Sequence, residues 1–419
     1  MENGKYKVLV LSDHALSTSG VGTQTRHLLT GLIEKGCWSF RQFGAAMKHN
    51  DYRTVVVNDD FIIKPIDGFG NQDLIRVTLA TEKPDLLFIF TDPRFFTWLF
   101  EMEDEIHQIC PIVWWHVWDN YPYPEFNRFY YEATDLINCH SHMTYEMLKP
   151  IFPNKTNFIP HSLPPNMFFP LEESEVKRQK NSILGKENED SFVGIWVNRN
   201  AKRKRPADVL ESWAMFLKTL EHREKHRKAI LIMHTEPNDP EGPNLYAVAE
   251  QLKIENTVFF STDRIDFDKM NVLYNISDFC LNISYAEGFG LSTLESMMAG
   301  VPIIASKTGG LTRQVVNHKN KSHNGVALDI DLKVLVGSQN VPYIYEDYVS
   351  NKNVAKAIMK LYKINKNEPQ RRKLKKKVLN YALENFGYQK TIDDWHDTML
   401  STLKEFKGSS QKSWKMKTY

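Results

Sequence analysis

Two glutamates eight positions apart bracket a glycine-containing turn in the second half of the chain. The segment Glu287–Glu295 reads Glu-Gly-Phe-Gly-Leu-Ser-Thr-Leu-Glu. Glycines let a backbone approach a ligand closely, and the free N–H groups at the start of a helix favour a phosphate. Carboxylates accept hydrogen bonds from ribose or sugar hydroxyls. The pattern therefore predicts a phosphate- and hydroxyl-binding site, although the same spacing also fits a tight turn followed by a helix with an acidic residue.

Two cations, Arg199 and Lys204, follow an apolar strand-like run in the same half of the chain. Cations at a strand end can neutralise a diphosphate leaving group. The residues around them are also basic, so the segment fits a solvated loop as well, and Lys202 could take the place of Lys204. The sequence thus predicts a second component of a phosphate site.

The first half of the chain offers weaker signals. His116 follows the apolar run Pro111–Trp115 within an aromatic stretch, where it could be a packed residue or contact a ligand, with Asp119 orienting it. Gly20 and Gly22 lie in a loop after the first apolar run, although any tight turn favours glycine. These residues are candidates for the other side of a binding site.

Strand-like runs alternate with helical patterns in both halves, which predicts parallel sheets with crossover helices. The proline-rich run from Ile159 to Pro165 separates the halves. We therefore expect an α/β protein with two Rossmann-like domains facing a central cleft, with ligands at the carboxyl ends of the strands. The predicted bounds are residues 1–165, residues 170–385, and a C-terminal helix at 386–408 that packs toward the first domain.

The composition excludes few classes of function. The 53 basic and 51 acidic residues give a net charge of +2, so the total charge indicates neither a nucleic-acid nor a membrane partner. The basic run Arg371–Lys377 could contact DNA or an anionic lipid headgroup, but such runs are usually solvated helix faces. No Asp-x-Asp pair stands near a predicted strand end, and the pair at Asp329 and Asp331 fits a surface turn.

Targeting signals are not evident either. No apolar run approaches the ~18 residues that a membrane-spanning helix needs, and the first residues do not resemble a secretory signal peptide. The four cysteines show no Cys-x-x-Cys spacing, which favours a reducing compartment. The expected location is the cytoplasm.

These motifs together resemble those of retaining glycosyltransferases of the GT-B fold, family 4 (group 1) type. The resemblance is strong from about residue 190 to 320 and looser before it. Asn198 stands where the family usually has a glycine before the arginine, and Arg205 where a glycine often follows the lysine. The matching motifs are Glu287 with Glu295, Met298–Ala305, Gly309-Gly310, Arg199 with Lys204, Ser19–Gly22, His116, and Ile159–Ser162.

The resemblance implies transfer of a sugar from a nucleotide-diphospho-sugar to an acceptor hydroxyl, with retention and without a metal or other cofactor. The acceptor, whether a glycan, a lipid or modified DNA, is not readable. The alternatives are a non-catalytic nucleotide-sugar-binding protein and an epimerase on the same fold. By resemblance the catalytic residues are Glu287, His116, Arg199 and Lys204, and the donor-binding residues are Glu295, Gly288, Phe289, Gly290, Leu291, Gly20, Gly22 and Arg264.

Overall fold

The computed structural model describes residues 4–46 and 51–410. The chain forms two compact units. The first comprises the residues up to Trp118, Pro122–Ser162, and those from Tyr388 onward; the second comprises Asp119–Tyr121 and Leu163–Gly387. The domain bounds expected from the sequence differ slightly from this division and stay a prediction.

The first unit is built around an eight-stranded sheet in its described residues. Its strands are β1 (Tyr6–Asp13), β2 (Trp38–Ala45), β3 (Val55–Asn58), β4 (Phe61–Pro65), β5 (Leu86–Phe90), β6 (Ile112–His116), β7 (Leu136–Cys139) and β8 (Thr156–Phe158). The strand order is β3-β4-β2-β1-β5-β6-β7-β8, with all pairs parallel except β3 and β4. Its helices are α1 (Gly20–Ile33), α2 (Gln72–Glu82), α3 (Thr97–Phe100), α4 (Glu103–His107), α5 (Arg128–Glu132), α6 (His142–Leu148) and a C-terminal helix (Tyr388–Ser410).

The C-terminal helix is part of the core of this unit. Its apolar residues Ile392, Trp395 and Met399 are buried in the same cluster as strand residues of β1 and β5. Gly31 in α1 allows the close approach, since a Cβ there would lie 2.5 Å from the Ile392 side chain. The apolar stripe at helical spacing thus ties the end of the chain to the first sheet.

The second unit contains a six-stranded parallel sheet. Its strands are β9 (Phe192–Val197), β10 (Ala229–His234), β11 (Val258–Ser261), β12 (Phe279–Asn282), β13 (Ile303–Ser306) and β14 (Gly325–Leu328), in the order β11-β10-β9-β12-β13-β14. A separate antiparallel hairpin consists of β15 (Leu332–Val336) and β16 (Ile344–Tyr348). The helices are α7 (Glu173–Leu184), α8 (Pro206–Glu224), α9 (Leu245–Leu252), α10 (Phe267–Asn275), α11 (Leu291–Met298), α12 (Leu311–Val315), α13 (Asn351–Asn365) and α14 (Glu368–Asn385).

Both faces of the second sheet are covered by helices. Along β9, Phe192 and Trp196 are buried in one apolar cluster, and Val193 and Ile195 in another. Successive side chains of a strand point to opposite faces, so this alternation defines two core layers. Helices α8 and α13 contribute to the first layer, and α10, α11 and α14 to the second. Among the described residues, no helix is long and apolar enough to cross a bilayer.

Candidate active site

Three loops of the second unit meet because their strands are neighbours. Strands β9, β12 and β13 are adjacent and parallel, so the segments that follow them leave the sheet at the same edge. The loop after β9 carries the basic residues between positions 199 and 205. The loop after β12 carries Glu287, and the loop after β13 carries Gly309 and Gly310. Open α/β sheets bind ligands at this edge.

An ion pair joins two of the predicted site residues. The Lys204 ammonium contacts the carboxylate of Glu287, and the two side chains are only 14% and 11% exposed. Asn282 and Ser284 add weak hydrogen bonds to the same carboxylate oxygen, both at 3.4 Å. Burial alone would raise the pKa of Glu287, but Lys204 and Arg203 outweigh it and hold the pKa below its ordinary value. Glu287 is therefore an anion at neutral pH.

Arg203 is a residue of this site that the sequence reasoning did not single out. Its guanidinium donates to the carbonyl of Ala286 at 2.5 Å and pairs with the Asp119 carboxylate at 2.9 Å. That carbonyl belongs to the residue next to Glu287. The Arg203 guanidinium is therefore a second positive charge near the buried Glu287 carboxylate. Its only signal in the sequence was its place among the basic residues that follow Arg199, where Lys204 was the predicted site residue and Lys202 its possible substitute.

Arg199 lies on the outer side of the same loop. It is exposed, and it pairs with Asp239 at 2.7 Å and with Glu241 at 3.1 Å. Its hydrogen bond to Asp239 raises the pKa of the guanidinium. The structure thus places Lys204, but not Arg199, against Glu287; Lys202 is exposed.

Gln314, a fully buried residue of α12, binds two backbone carbonyls of the glycine-containing turn that precedes α11. Its amide nitrogen donates to the carbonyls of Phe289 at 2.7 Å and Gly290 at 3.1 Å. No side chain caps the first turn of α11 in the described structure, and Gly290 adopts the left-handed φ of 89° that glycine tolerates best. A helix start without a side-chain cap can bind an anion through its amides, so α11 offers a candidate anion site.

Gly310 explains why the loop after β13 contains two glycines. Its N–H donates to the carbonyl of Glu287 at 3.0 Å. A Cβ on Gly310 would lie 2.5 Å from the carbonyl oxygen of Gly288 and from the Cα of Phe289. Those atoms are backbone and cannot move aside cheaply, so glycine is required for this contact between the two loops.

Replacing Gln314 with Leu tests how far the turn depends on its support. The variant removes a buried donor from the carbonyls of Phe289 and Gly290, of which Gly290 keeps its bond from the Thr293 hydroxyl, so we expect it to lose about 2 kcal/mol of stability. We also expect donor binding to weaken roughly tenfold, as a few tenths of an ångström at the amides matter for a charged ligand. Calorimetry and urea unfolding measure both. Wild-type donor affinity in a correctly folded Q314L protein would contradict the supporting role.

Glu295 lies one helical turn inside α11 and is half-buried. Its carboxylate accepts a hydrogen bond from the Tyr274 hydroxyl at 2.7 Å. Burial raises the pKa of Glu295 to about 7, and the bond from Tyr274 opposes part of that rise. Unlike Glu287, this carboxyl group changes its charge near neutral pH.

Arg264, another candidate for donor binding, and the basic run Arg371–Lys377 lie at more exposed positions than Glu287 and Lys204. Arg264 is exposed in the loop after β11, at the far end of the strand order. In the run Arg371–Lys377, within α14, Arg372 pairs with Glu368 at 2.8 Å and Lys377 donates to the carbonyl of His323. Part of the run therefore serves the structure itself.

In the first unit, His116 ends β6 and is buried. Its Nε2 is hydrogen-bonded to the Tyr131 hydroxyl at 3.0 Å, and its carbonyl accepts from Nδ1 of His140 at 2.5 Å. Burial, with a contribution from His140, lowers the pKa of His116 well below its usual value, so the ring is neutral. Its buried Nδ1 has no hydrogen-bond partner among the described residues.

The glycine loop of the first unit connects β1 to α1. Ser19 caps α1 by accepting from the N–H of Gly22 at 2.9 Å and donates its own proton to Asp13 at 2.7 Å. Gly20 is the first residue of the helix. Burial raises the pKa of Asp13, with the Ser19 bond opposing it. The predicted loop is thus the start of a capped helix beside a carboxyl group.

Within the described ranges, no group of three or more His, Cys, Asp and Glu side chains is arranged to hold a metal ion.

A segment within the second unit matches a known family model. Residues 177–331 match the family model described as "Glycosyl transferases group 1". The chain is 26% identical over 248 residues to an N-acetyl-alpha-D-glucosaminyl L-malate synthase of Bacillus anthracis, covering 54% of this chain and 59% of that protein. It is also 26% identical over 164 residues to a D-inositol 3-phosphate glycosyltransferase of Acidothermus cellulolyticus, covering 39% of this chain and 35% of the relative. The resemblance predicted from the sequence is confirmed for this region.

Similarity to solved structures extends over almost the whole chain. The sucrose-phosphate synthase of Thermosynechococcus elongatus matches with a TM-score of 0.71 and 15% identity, covering 97% of this chain and 100% of the other. HepE from Anabaena, solved with UDP and glucose, matches with a TM-score of 0.68 and 15% identity, covering 94% and 100%. These structures confirm the predicted fold class, GT-B, with two Rossmann-like units.

Proposed function

We propose that this protein transfers a sugar from a nucleotide-diphospho-sugar to an acceptor hydroxyl. Its residues 177–331 match the model of group 1 glycosyltransferases. The observation that carries the proposal is the convergence of Lys204, Arg203 and the start of α11 on Glu287 at one sheet edge. A buried carboxylate held by two cations beside free amides is suited to a ligand that has both phosphates and hydroxyls. HepE, a protein of similar fold that was solved with UDP and glucose, supports the same class of donor.

In the proposed reaction, Lys204 and the amides that begin α11 bind the diphosphate. Glu287 accepts hydrogen bonds from sugar hydroxyls, and Glu295 from the ribose. The bond between the anomeric carbon and the diphosphate oxygen breaks as the acceptor oxygen bonds to that carbon, and the proton of the acceptor hydroxyl passes to the departing diphosphate. The charge that develops on the leaving diphosphate is stabilised by fixed cations, which act in a site of low dielectric constant. Arg199 takes part if it leaves its ion pairs with Asp239 and Glu241.

The finer features rest on the predicted resemblance. We propose retention of the anomeric configuration and a reaction that needs no metal, because Lys204 and Arg203 supply the positive charge that a metal would supply. By the same resemblance, His116 would contact the transferred sugar. A reducing location such as the cytoplasm is supported by four cysteines that form no disulfide. The acceptor class remains open between a glycan, a lipid and modified DNA.

A donor screen tests the proposal directly. Calorimetry of the full chain with UDP-, GDP- and ADP-sugars should give micromolar binding for one nucleotide and weaker binding for the others. Variants that replace Glu295 with Ala and Lys204 with Met should each weaken that binding at least tenfold, whereas K202M, at an exposed neighbour, should retain it. Absence of binding to any nucleotide-sugar by folded protein would overturn the proposal.

A non-catalytic binding protein and an epimerase are the alternatives, and product analysis distinguishes them. Donor turnover that gives free nucleotide diphosphate and a glycosylated acceptor supports transfer. Binding without turnover across glycan, lipid and modified-DNA acceptors supports a binding protein. A sugar that changes its configuration while still attached to the nucleotide supports an epimerase.

Donor binding should depend on pH because the pKa of Glu295 is about 7. Above pH 7 the ionised carboxylate accepts hydrogen bonds from two hydroxyls, and as the pH falls it gains a proton and loses acceptor capacity. We therefore expect donor affinity to fall about fivefold between pH 8 and pH 6, the difference between charged and neutral hydrogen bonds. Calorimetry across this range measures the midpoint.

Two variants provide the controls. Tyr274→Phe removes the bond that lowers the pKa of Glu295, so the midpoint should move to higher pH. Glu295→Gln should bind more weakly and show a flat profile between pH 6 and pH 8. A profile in E295Q that equals the wild-type profile would assign the titration to another group.

A further inference from the structure

A groove on the second unit lies away from the three loops described above. It runs between α8 and α13 and has a volume of about 640 Å³. Six cationic side chains line it: Lys218, Arg223, Lys352, Lys356, Lys360 and Lys363. None of the described residues that line it is acidic. We refer to this surface as the cationic groove.

The cationic groove has a regular geometry. On α13 the lysines at 352, 356, 360 and 363 follow one another at three- and four-residue steps, so they form one stripe about 16 Å long. On α8, Lys218 and Arg223 form the opposite rim. Between the rims lie apolar side chains, Met215, Ala355 and Met359, of which Met215 is 36% exposed.

The charges of the groove are not balanced internally. None of the six cations forms an ion pair within 4.0 Å with another described residue. Asp331 lies near Lys356, but its carboxylate accepts hydrogen bonds from Ser350 at 2.8 Å and Asn353 at 3.0 Å. Like charges at i and i+4 destabilise a helix by a few tenths of a kcal/mol per pair. A stripe of this kind is therefore most stable when an anion lies over it.

The shape and chemistry of the groove favour one class of occupant. No aromatic ring lines it, so it lacks the stacking platform that single-stranded nucleic acids use. Five of the six cations are lysines, which lack the planar fork that recognises phosphate bidentately. An apolar methionine floor between two basic rims complements an amphipathic segment with apolar residues on one face and carboxylates on both flanks.

We propose that the cationic groove binds an acidic, amphipathic segment of a partner protein. The stripe on α13 matches about three turns of such a helix. Leucine-sized side chains would contact Met215 and Met359, and glutamates on the flanks would pair with the two rims. This interaction is independent of sugar transfer, because none of the groove residues belongs to the donor site.

The probe for the test is a 16-residue fluorescent peptide with leucines on one helical face and glutamates on both flanks. Anisotropy titration of the full chain at 100 mM salt should give micromolar binding. A scrambled peptide of the same composition should bind at least tenfold more weakly, because it cannot place leucines on the floor and glutamates on the rims together. Met215→Ser should weaken binding three- to fivefold.

Charge reversal locates the binding surface. K356E/K360E should weaken binding of the probe at least tenfold, whereas K373E/K376E, a matched pair of exposed lysines on α14, should leave it unchanged. Thermal melts and donor calorimetry show that both double variants are folded. Absence of binding by wild-type protein, or equal binding of the scrambled peptide, would overturn the proposal.

The same experiment tests whether the cationic groove binds other polyanions. Vesicles with 30% phosphatidylglycerol and a 20-nucleotide oligo-dT are titrated in parallel. If either binds more tightly than the peptide and loses its affinity in K356E/K360E, the groove serves a membrane or a nucleic acid and the peptide proposal is wrong.

Discussion

Replacing Lys204 with Met is expected to lower kcat/KM by about 10²- to 10³-fold, the usual loss when one group that stabilises developing charge is removed. The same variant should lose about 3 kcal/mol of stability, because it leaves the buried Glu287 carboxylate without its closest partner. Initial rates at varied donor concentration and urea unfolding measure the two effects. Lys202→Met is the matched control, since Lys202 is exposed, and should change neither quantity.

A second substitution separates the two losses. In K204M/E287Q the buried charge is gone, so most of the stability should return. Transfer should stay low, because the diphosphate still lacks its cation. If the double variant also regained transfer, the ion pair would be structural alone. If K204M were as stable as the wild type, the pair would not be buried in solution.

Much of the second unit was predictable because its strands are short apolar runs bounded by turn residues. The sequence pattern predicts a strand over residues 192–197 and a helix that begins at Pro206, and the structure has β9 at Phe192–Val197 and α8 beginning at Pro206. The sequence pattern predicts a helix over residues 292–299, closed by Gly300 and Pro302, and the helix in the structure spans Leu291–Met298. Such elements are recognisable because their burial is set by local periodicity.

The sequence pattern does not predict some other elements, because contacts between residues far apart in the chain determine their secondary structure. Strand β2 contains Arg41 and Gln42, which interrupt its apolar pattern. Gln42 is buried all the same, since its amide donates to the carbonyl of Asp13 at 2.8 Å and accepts from the N–H of Ala15 at 3.2 Å. A sequence pattern does not show that a polar side chain has found such partners.

The candidate site likewise contains residues that the sequence predicted and residues that only the structure revealed. Glu287 and Lys204 were predicted from motifs, and the structure brings them together. Arg203 and Gln314 were not, because their roles depend on contacts with residues 83 and 25 positions away, Ala286 and Phe289. Their assignment as functional residues stays a prediction, as does that of Arg199, whose partners are carboxylates of its own unit.

Arg205 accounts for one departure from the family pattern. It has a φ of 57°, the left-handed conformation in which a glycine is ordinarily preferred. Its side chain is completely buried and its guanidinium stacks on the rings of Tyr285 and Tyr348, with 4.9 and 4.4 Å to the centroids. It also donates to Asp208 at 2.9 Å and to the carbonyl of Val349 at 2.9 Å. These contacts compensate for the backbone strain and anchor the loop that carries Lys204.

We expect Arg205→Ala to lose at least about 3 kcal/mol of stability, because it creates a cavity and leaves buried acceptors unpaired. Arg205→Gly should be about 1 kcal/mol more stable than the alanine variant, since glycine removes the strain of the left-handed φ. Arg205→Lys should lie closest to the wild type but lose about 2 kcal/mol, because an ammonium cannot reproduce the planar stack. Urea unfolding of the three variants measures this order.

The stack also predicts an effect on the donor site. If Arg205 fixes the loop, R205A should raise the KM for the donor about tenfold while K202M does not, because Lys204 is no longer held against Glu287. Tyr348→Phe keeps the ring and should behave like the wild type, whereas Tyr348→Ala should weaken both stability and donor binding. An alanine variant more stable than R205G, or an unchanged KM in R205A, would show that the backbone at this position is unstrained or that the loop is held elsewhere.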